Sequence, residues 1–189
     1  MSADPQQRAE AAIAESIERF GEVGVQVAAY HRGRRVVHAW GGVADLATGH
    51  PVDGETLFGM ASCSKAVTAT IIHRLVEAGI LAYDAPVARW WPEFGSMGKE
   101  NVTVRDVLSH RSGLDQVPGL TPADYATISG PTRAIEGAAL AWPTGTTMRY
   151  HSLTFGSILG ILATRASGRP FGNLLGEMAT QAGAQALRF

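Results

Sequence analysis

Phe58-Gly59-Met60-Ala61-Ser62-Cys63-Ser64-Lys65 leads into the most apolar helical run of the chain. The pattern predicts a helix from Ser62 to about Ala78, where Gly79 follows as a terminating residue. Apolar residues recur at helical spacing and predict a stripe packed against a core: Val67, Ile71, Ile72, Leu75 and Val76. Ser62 and Lys65 lie about 60° apart around such a helix, so both side chains project from one face. The sequence therefore predicts a helix whose apolar face packs against the core and whose other face presents Ser62 and Lys65 for chemistry.

A serine three residues before a lysine is a minimal apparatus for acyl transfer without a histidine base. A neutral lysine amine can accept the serine hydroxyl proton, and a helix N-terminus favours both the alkoxide and a deprotonated lysine. The alternative for Ser62 and Lys65 is a surface serine near a solvated lysine. Burying a lysine charge without a partner is costly, which favours a functional role at the start of a buried helix. Cys63 points about 100° away from Ser62 around the helix axis. We therefore expect it to be a small core residue rather than a reactive thiol.

The remaining patterns predict an α+β protein in two parts, residues 1–84 and residues 85–189. Residues 23–30 and 35–40 are typical of two strands in an antiparallel hairpin, with the turn at 31–34. Further helices are predicted over residues 5–20, 104–109 and 153–166, with Thr103 and Asp106 forming a variant of the capping box, and residues 115–135 are rich in loops. The second part is therefore expected to be mainly helical.

Composition limits the functions open to the chain. The 189 residues are 46% hydrophobic and 17% charged, which is typical of a globular domain, and the net charge of −1 indicates neither nucleic acid nor a membrane as partner. Cys63 is the single cysteine and the six histidines show no ligand spacing, so we assign no metal and no cofactor. The N-terminal segment is polar and no apolar run reaches about 18 residues, so we expect a cytoplasmic protein.

Tyr150 and His151 form a second group of candidates. They follow a turn at residues 143–146 and precede a predicted helix, which can present the Tyr150 hydroxyl to a cleft. The alternatives are a half-buried tyrosine at a helix start and, for His151, a capping or surface residue rather than a base. The motifs G-x-S-x-G, G-x-x-x-x-G-K-[ST] and G-x-G-x-x-G are absent, which argues against an α/β-hydrolase and against nucleotide binding.

Several segments, in this order, resemble the serine β-lactamase and penicillin-binding-protein superfamily. The resemblance is strongest to its class C-like esterase branch, the family VIII carboxylesterases and related acyltransferases, and it runs from about residue 10 to residue 180. The segments that carry it are Phe58–Lys65, Leu75–Pro86 with Trp91–Phe94, Val102–Leu114, Pro143–Thr146 with Tyr150–Ser152, and Gly156 with Ser167–Arg169.

The resemblance implies an acyl-transfer site. Ser62 would be the nucleophile, Lys65 its partner in proton removal, and Tyr150 a second general base that hands the proton to the leaving group. The resemblance does not decide whether Lys65 or Tyr150 is the base, because a coupled pair can share one proton. The implied fold is a β-lactamase/transpeptidase-like α+β fold, with helices on both faces of an antiparallel sheet and a mainly helical subdomain over roughly residues 85–180. The family's cleft lies between these two parts.

Two features depart from the family's pattern. Its tyrosine motif commonly reads Y-x-N, whereas here the substrate-binding third position is Ser152, whose shorter side chain lacks the carboxamide and favours simple esters or thioesters. No KTG, HTG or W-G-G segment follows Tyr150 before the sequence ends at Phe189, so we expect the C-terminal sheet strands to be absent. One of those strands supplies an oxyanion-hole amide, and losing such a donor typically costs on the order of 10²–10³ in rate.

The leading functional prediction is a serine hydrolase that forms an acyl-enzyme on Ser62, a carboxylesterase acting on small esters. The alternatives are an acyltransferase or thioesterase of the same family, or a truncated, non-catalytic binding or oligomerising module. An open sheet edge and an uncovered apolar face would favour a homo-oligomer or a separate complementing C-terminal fragment as partner.

Overall fold

The computed structural model of the chain describes residues 4–184 and 186–188. The chain forms two compact units, Met1–Gly59 and Met60–Phe189. The sequence-based division into residues 1–84 and 85–189 differs from this one, because the helix that follows Ser62 packs into the helical core of the second unit. Its buried residues Ile71, Ile72 and Leu75 belong to that core.

The first unit combines one helix with a three-stranded antiparallel sheet in the order β1-β2-β3. Its elements are α1 (Pro5–Phe20), β1 (Gly24–His31), β2 (Arg34–Asp45) and β3 (His50–Pro51). β1 and β2 form the predicted hairpin, in which His31 pairs with Arg34. Arg32 and Gly33 between them have φ angles of 50° and 75°, and positive φ at both turn residues matches the twist of the flanking strands.

The helix α1 covers one face of this sheet. Ile13 is buried together with Val37 and Ala39 of β2. The side-chain amide of Gln6 accepts a hydrogen bond from the His38 N–H at 2.8 Å and donates one to the His38 carbonyl at 2.9 Å. These two bonds fix the start of the helix to one register position of β2.

The other face of β2 carries apolar side chains that are partly exposed. Val36 and Trp40 alternate with the residues that face α1, and they are 40% and 42% exposed. Within the described ranges β3 is the last strand of the chain.

The second unit is helical and is organised around α5. Its helices are α2 (Ser64–Glu77), α3 (Val104–Leu108), α4 (Thr132–Gly137), α5 (Thr154–Ser167) and α6 (Phe171–Gln181). Nine of the 14 residues of α5 are buried, and α2, α3, α4 and α6 all pack against it. A helix that is apolar around most of its circumference occupies the centre of a core in this way. No helix in the described ranges is both long and apolar enough to cross a membrane.

Most predicted helices lie within a residue or two of the observed ones, and Thr103 caps α3 through the predicted capping box with Asp106. Two helices, α4 and α6, were not predicted. In α6 the buried positions Phe171, Leu174, Leu175 and Ala179 follow helical spacing. Gly172 and Gly176 lower the intrinsic helix propensity of this segment, so tertiary packing rather than propensity accounts for the helix.

Candidate active site

The candidate site begins at the turn that precedes α2. Ser62 lies in a 3₁₀ turn over Ala61–Cys63, and the α-helix starts only at Ser64. Ala61 has a φ of 42°, a left-handed conformation that costs free energy in a residue with a Cβ and that concentrates at functional turns. Backbone N–H groups at the start of a helical turn have no acceptor within it, so the Ser62 N–H has no partner inside this turn.

The Lys65 side chain connects the predicted site residues. Its Nζ lies 3.2 Å from Oγ of Ser62 and 2.7 Å from the backbone oxygen of Ser152. The same nitrogen lies 4.8 Å from the centroid of the Tyr150 ring. The structure thus places the other three predicted site residues, Ser62, Tyr150 and Ser152, around the Lys65 nitrogen.

Tyr150 is half-exposed beside this nitrogen. Hydrogen bonding with Lys65, and then with the Ser62 hydroxyl, lowers the pKa of the Tyr150 phenol from its ordinary value of 10.0. A cation that donates to the phenolate oxygen favours the ionised form, which is the physical cause of the shift. The phenol therefore gives up its proton more readily here than it would in water.

His110 supports Tyr150 from the side. The centroid of its ring lies 4.9 Å from the Tyr150 ring and 4.9 Å from the Phe155 ring. Its carbonyl accepts the Arg149 N–H at 3.1 Å, and its Nδ1 accepts the His151 N–H at 3.1 Å. Burial first, then the neighbouring His151 and Lys65, lower the pKa of His110. A neutral ring that accepts at Nδ1 fits both observations.

His151 fixes the backbone next to Tyr150 through two hydrogen bonds inside the core. It is fully buried, its Nδ1 donates to the Arg149 carbonyl at 2.6 Å, and its Nε2 accepts the Ser112 hydroxyl at 2.6 Å. The Ser112 oxygen in turn accepts the Leu114 N–H at 3.2 Å. Burial lowers the pKa of His151, in agreement with a neutral ring. The expectation of a capping or surface residue at His151 is therefore wrong, because this network satisfies both ring nitrogens inside the core.

Two further contacts join the 109–115 segment to the residues around Tyr150. Arg149 Nη1 lies 3.2 Å from an oxygen of the buried Asp115 carboxylate. The Thr154 hydroxyl donates to the Leu114 carbonyl at 2.6 Å, which fixes the first residue of α5. Residues 109–115 therefore contact the chain both before and after Tyr150 and fix its position.

A cavity of about 380 Å³ adjoins the candidate nucleophile. Its wall contains Ser62 and Lys65, the start of α5 and the loop residues Tyr125, Thr127 and Ile128. Ser152 also contributes to the wall, in addition to the carbonyl that it offers to Lys65. The volume is within the range of small-molecule binding sites.

Cys63 does not occupy the position that the sequence predicted. It is exposed beside Ser62 rather than packed in the core, because the 3₁₀ turn directs it away from the apolar side of α2. The residues that the structure describes contain no group of three or more histidine, cysteine, aspartate or glutamate side chains that could hold a metal ion.

Solved structures share this fold. A crystal structure titled as a family VIII carboxylesterase matches with a TM-score of 0.83 and 31% sequence identity, over 94% of this chain and 49% of that chain. The α+β arrangement with a helical unit is therefore a β-lactamase/transpeptidase-like fold, as predicted. The model of the Beta-lactamase family matches residues 9–185, and the chain belongs to this family.

Among curated proteins, the chain is 38% identical over 151 residues to the esterase/beta-lactamase LipL of Mycobacterium tuberculosis. It is 35% identical over 148 residues to the esterase EstB of Burkholderia gladioli. These matches cover 80% and 68% of this chain, but 34% and 37% of the two relatives. The chain thus spans about a third of the length of these relatives and about half of the solved carboxylesterase.

Sequence reasoning assigned no role to His110 or Ser112, although both lie in the Val102–Leu114 segment that carries the resemblance. The sequence did contain one sign that this segment makes a close contact, namely Gly113, which follows Ser112. Its φ is 90°, and an added Cβ would lie 2.6 Å from the Trp142 carbonyl oxygen. Such a close backbone approach marks the place where this segment reaches the one that leads to Tyr150.

Proposed function

We propose that this protein is a serine hydrolase of the β-lactamase type, a carboxylesterase that forms an acyl-enzyme on Ser62 with small esters as substrates. The observation that carries the proposal is the 3.2 Å contact between Lys65 Nζ and Ser62 Oγ, with Tyr150 at the same nitrogen. The esterase names of the similar proteins support the choice of substrate class.

In the proposed reaction Ser62 Oγ attacks the ester carbonyl carbon, and its proton passes to the Lys65–Tyr150 pair. The bond to the alcohol then breaks, the pair returns the proton to the departing alkoxide, and the acyl group stays on Ser62. Water attacks this acyl-enzyme while the pair takes up a proton, and the carboxylic acid leaves as Ser62 Oγ is reprotonated. We expect the Ser62 N–H, which has no acceptor inside its own turn, to donate to the carbonyl oxygen that becomes negative in each step.

Ser152 supports esters rather than amides as substrates. Its side chain is exposed, and it is too short to provide the carboxamide that would contact an amide-bearing substrate. An alkoxide is also a better leaving group than an amine anion, so an ester places a smaller demand on proton transfer from Tyr150.

Hydrolysis of a p-nitrophenyl ester by wild type and by Ser62→Ala tests the proposal. We expect the variant to lose measurable turnover, while the matched control Ser109→Ala, an exposed serine outside the site, keeps it. Equal turnover by wild type and Ser62→Ala would contradict the assignment of the nucleophile.

A fluorophosphonate probe gives a second readout, because it captures the nucleophile covalently. Peptide mass spectrometry should locate the adduct on Ser62 in both wild type and Cys63→Ser. The second variant is needed because Cys63 is exposed next to the serine and offers a competing nucleophile.

The cytoplasmic location and the oligomeric state are further parts of the proposal. The unpaired Cys63 fits a reducing compartment, and cell fractionation tests the location. The partly exposed Val36 and Trp40 on β2 support pairing with a second copy or with a complementing fragment. Light scattering after size exclusion would show a dimer mass if a second copy covers this face.

A further inference from the structure

A second cavity lies in the helical unit, between α5, the first turn of α6 and the segment that follows Ile128. Its volume is about 480 Å³, against about 380 Å³ for the cavity beside Ser62. Four apolar side chains contribute to its wall: Ile128, Ile161, Pro170 and Phe171. Both the volume and the apolar wall are typical of sites that bind small molecules.

Ile128 separates this cavity from the one beside Ser62. Its side chain packs on the α5 backbone at Gly160, where an added Cβ would lie 2.9 Å from Ile128 Cγ2. Thr127 lines the cavity beside Ser62, whereas Ser129, on the other side of Ile128 in the sequence, lines the second cavity. The two cavities are therefore distinct, and the candidate nucleophile belongs to the wall of the first alone.

Among the described residues of this wall Arg165 alone carries a charge, and that charge is already paired. Arg165 Nη1 lies 2.8 Å from a carboxylate oxygen of Glu93, and its Nη2 lies 3.5 Å from one of Glu136. An anionic ligand would have to compete with these two carboxylates and would be repelled by them. Neither glutamate is among the residues of the wall, so the cavity offers no carboxylate to a cation.

The other polar side chains of the wall are hydroxyls. Those of Thr132 and Thr164 already donate to the carbonyls of Ser129 and Gly160, at 2.6 and 3.0 Å. The exposed Ser129 hydroxyl and the backbone at the start of α6 can serve a hydroxyl or carbonyl on a ligand. None of these groups requires a ligand that is ionised.

We propose that this second cavity is a binding site for a neutral, largely apolar small molecule, an alkyl or aromatic compound without an ionised group. Its volume, its apolar side chains and the paired charge of Arg165 carry the proposal. The site is independent of the proposed hydrolysis, because it does not include Ser62.

Titration with N-phenyl-1-naphthylamine, a neutral fluorescent compound, tests the site without relying on turnover. We expect its fluorescence to rise on binding to the wild-type protein. The sulfonated compound with the same rings, 8-anilinonaphthalene-1-sulfonate, should bind more weakly, because it brings a negative charge to the carboxylates around Arg165. Tighter binding of the sulfonate than of the neutral compound would overturn the proposal.

Gly172 and Gly176 provide matched substitutions in α6. At both positions an added Cβ would meet no atom within 4 Å beyond its own stretch of helix, but only Gly172 lines the cavity. Gly172→Leu should therefore fill the cavity and abolish binding of the neutral compound, and Gly176→Leu should retain it. Leucine has a higher helix propensity than glycine, so we expect both variants to fold, and thermal unfolding checks this. Equal binding by the two folded variants would contradict the proposal.

Amide NMR signals locate the bound compound in the wild-type protein. Saturation should shift the signals of Thr132 and Gly172 and leave in place that of Gly156, which lines the cavity beside Ser62. Shifts confined to Gly156 or to β2 would overturn the proposal. Ser62→Ala should bind the compound as the wild type does, so failure of the esterase proposal and failure of this site give different results.

Discussion

Ser112 Oγ and His151 Nε2 lie 2.6 Å apart inside the second unit, where both side chains are fully buried. This bond joins the 109–115 segment to the residue after Tyr150. Because His151 also donates to the Arg149 carbonyl, the histidine spans the backbone on both sides of the tyrosine. The position of the Tyr150 hydroxyl beside Lys65 therefore depends on a buried network that does not itself touch the nucleophile.

Ser112→Ala should destabilise the protein and weaken the site together. The substitution leaves the His151 Nε2 and the Leu114 N–H without partners, and an unsatisfied buried group costs about 1–3 kcal/mol. Urea unfolding should show a loss of this size, and Ser62 labelling by a fluorophosphonate should slow because Tyr150 is held less firmly. Ser109→Ala is the matched control, since its exposed hydroxyl donates to the Arg105 carbonyl on the surface. Equal stabilities of the two variants would contradict a structural role for the network.

The parts of the site differ in how far the sequence alone could predict them. The contact between Ser62 and Lys65 follows from local spacing on one turn, so the sequence predicts it directly. Ser152 reaches Lys65 from 87 positions away, and only the resemblance to a family indicated that approach.

The supporting network could not be predicted in the same way. His110 has a φ of 60°, which nothing in its residue type requires, and its ring contacts depend on the approach of a distant segment. A buried neutral His151 likewise follows from partners that fold around it, whereas sequence position alone suggests a cap. Local chemistry was thus predictable, but the tertiary contacts that orient it were not.

The free energy of unfolding should fall as the pH drops below about 6.5. Burial lowers the pKa of both His110 and His151 in the folded state, whereas in the unfolded chain each has its ordinary value of 6.5. Below that pH the unfolded state binds more protons than the folded state, so protonation favours unfolding, with a slope of up to about 1.4 kcal/mol per pH unit for each group.

Urea midpoints between about pH 7.5 and pH 5 measure this slope. His110→Asn should reduce it, because asparagine tolerates the left-handed conformation and does not titrate in this range. His31→Gln, which changes an exposed histidine in the first unit, should leave the slope of stability against pH unchanged. An equal slope in wild type and His110→Asn would show that His110 binds protons equally in the folded and unfolded states, and would contradict a lowered pKa in the folded protein.

A further prediction concerns Lys99, whose substitution should lower the stability of the protein without affecting the candidate site. Lys99 is fully buried, and its Nζ donates to the carbonyls of Glu136 and Ala138 at the end of α4. Lys99→Met removes both bonds and should cost about 1–3 kcal/mol in the free energy of unfolding. Ser62 labelling at a temperature where the variant is folded should proceed at the wild-type rate. Glu100→Gln, an exposed neighbour, serves as the control and should unfold as wild type does.

The pH dependence of ester hydrolysis distinguishes Tyr150 from Lys65 as the base. The pKa of the Tyr150 phenol lies below 10.0 because Lys65 and Ser62 hydrogen-bond to it, so kcat/KM should rise with pH through an apparent pKa below that value. Tyr150→Phe should lower kcat/KM by about 10²–10⁴ and remove this rise, while Tyr30→Phe, an exposed tyrosine in the first unit, should change neither.

Lys65→Met supplies the complementary measurement. Loss of the ammonium removes the main cause of the lowered Tyr150 pKa, so the rise in any remaining activity should move to higher pH. If instead Tyr150→Phe keeps the wild-type pH profile and Lys65→Met abolishes it, the lysine amine is the base and the tyrosine acts only by orienting it. The two profiles together decide which atom takes the Ser62 proton, because each variant leaves only one member of the pair able to titrate.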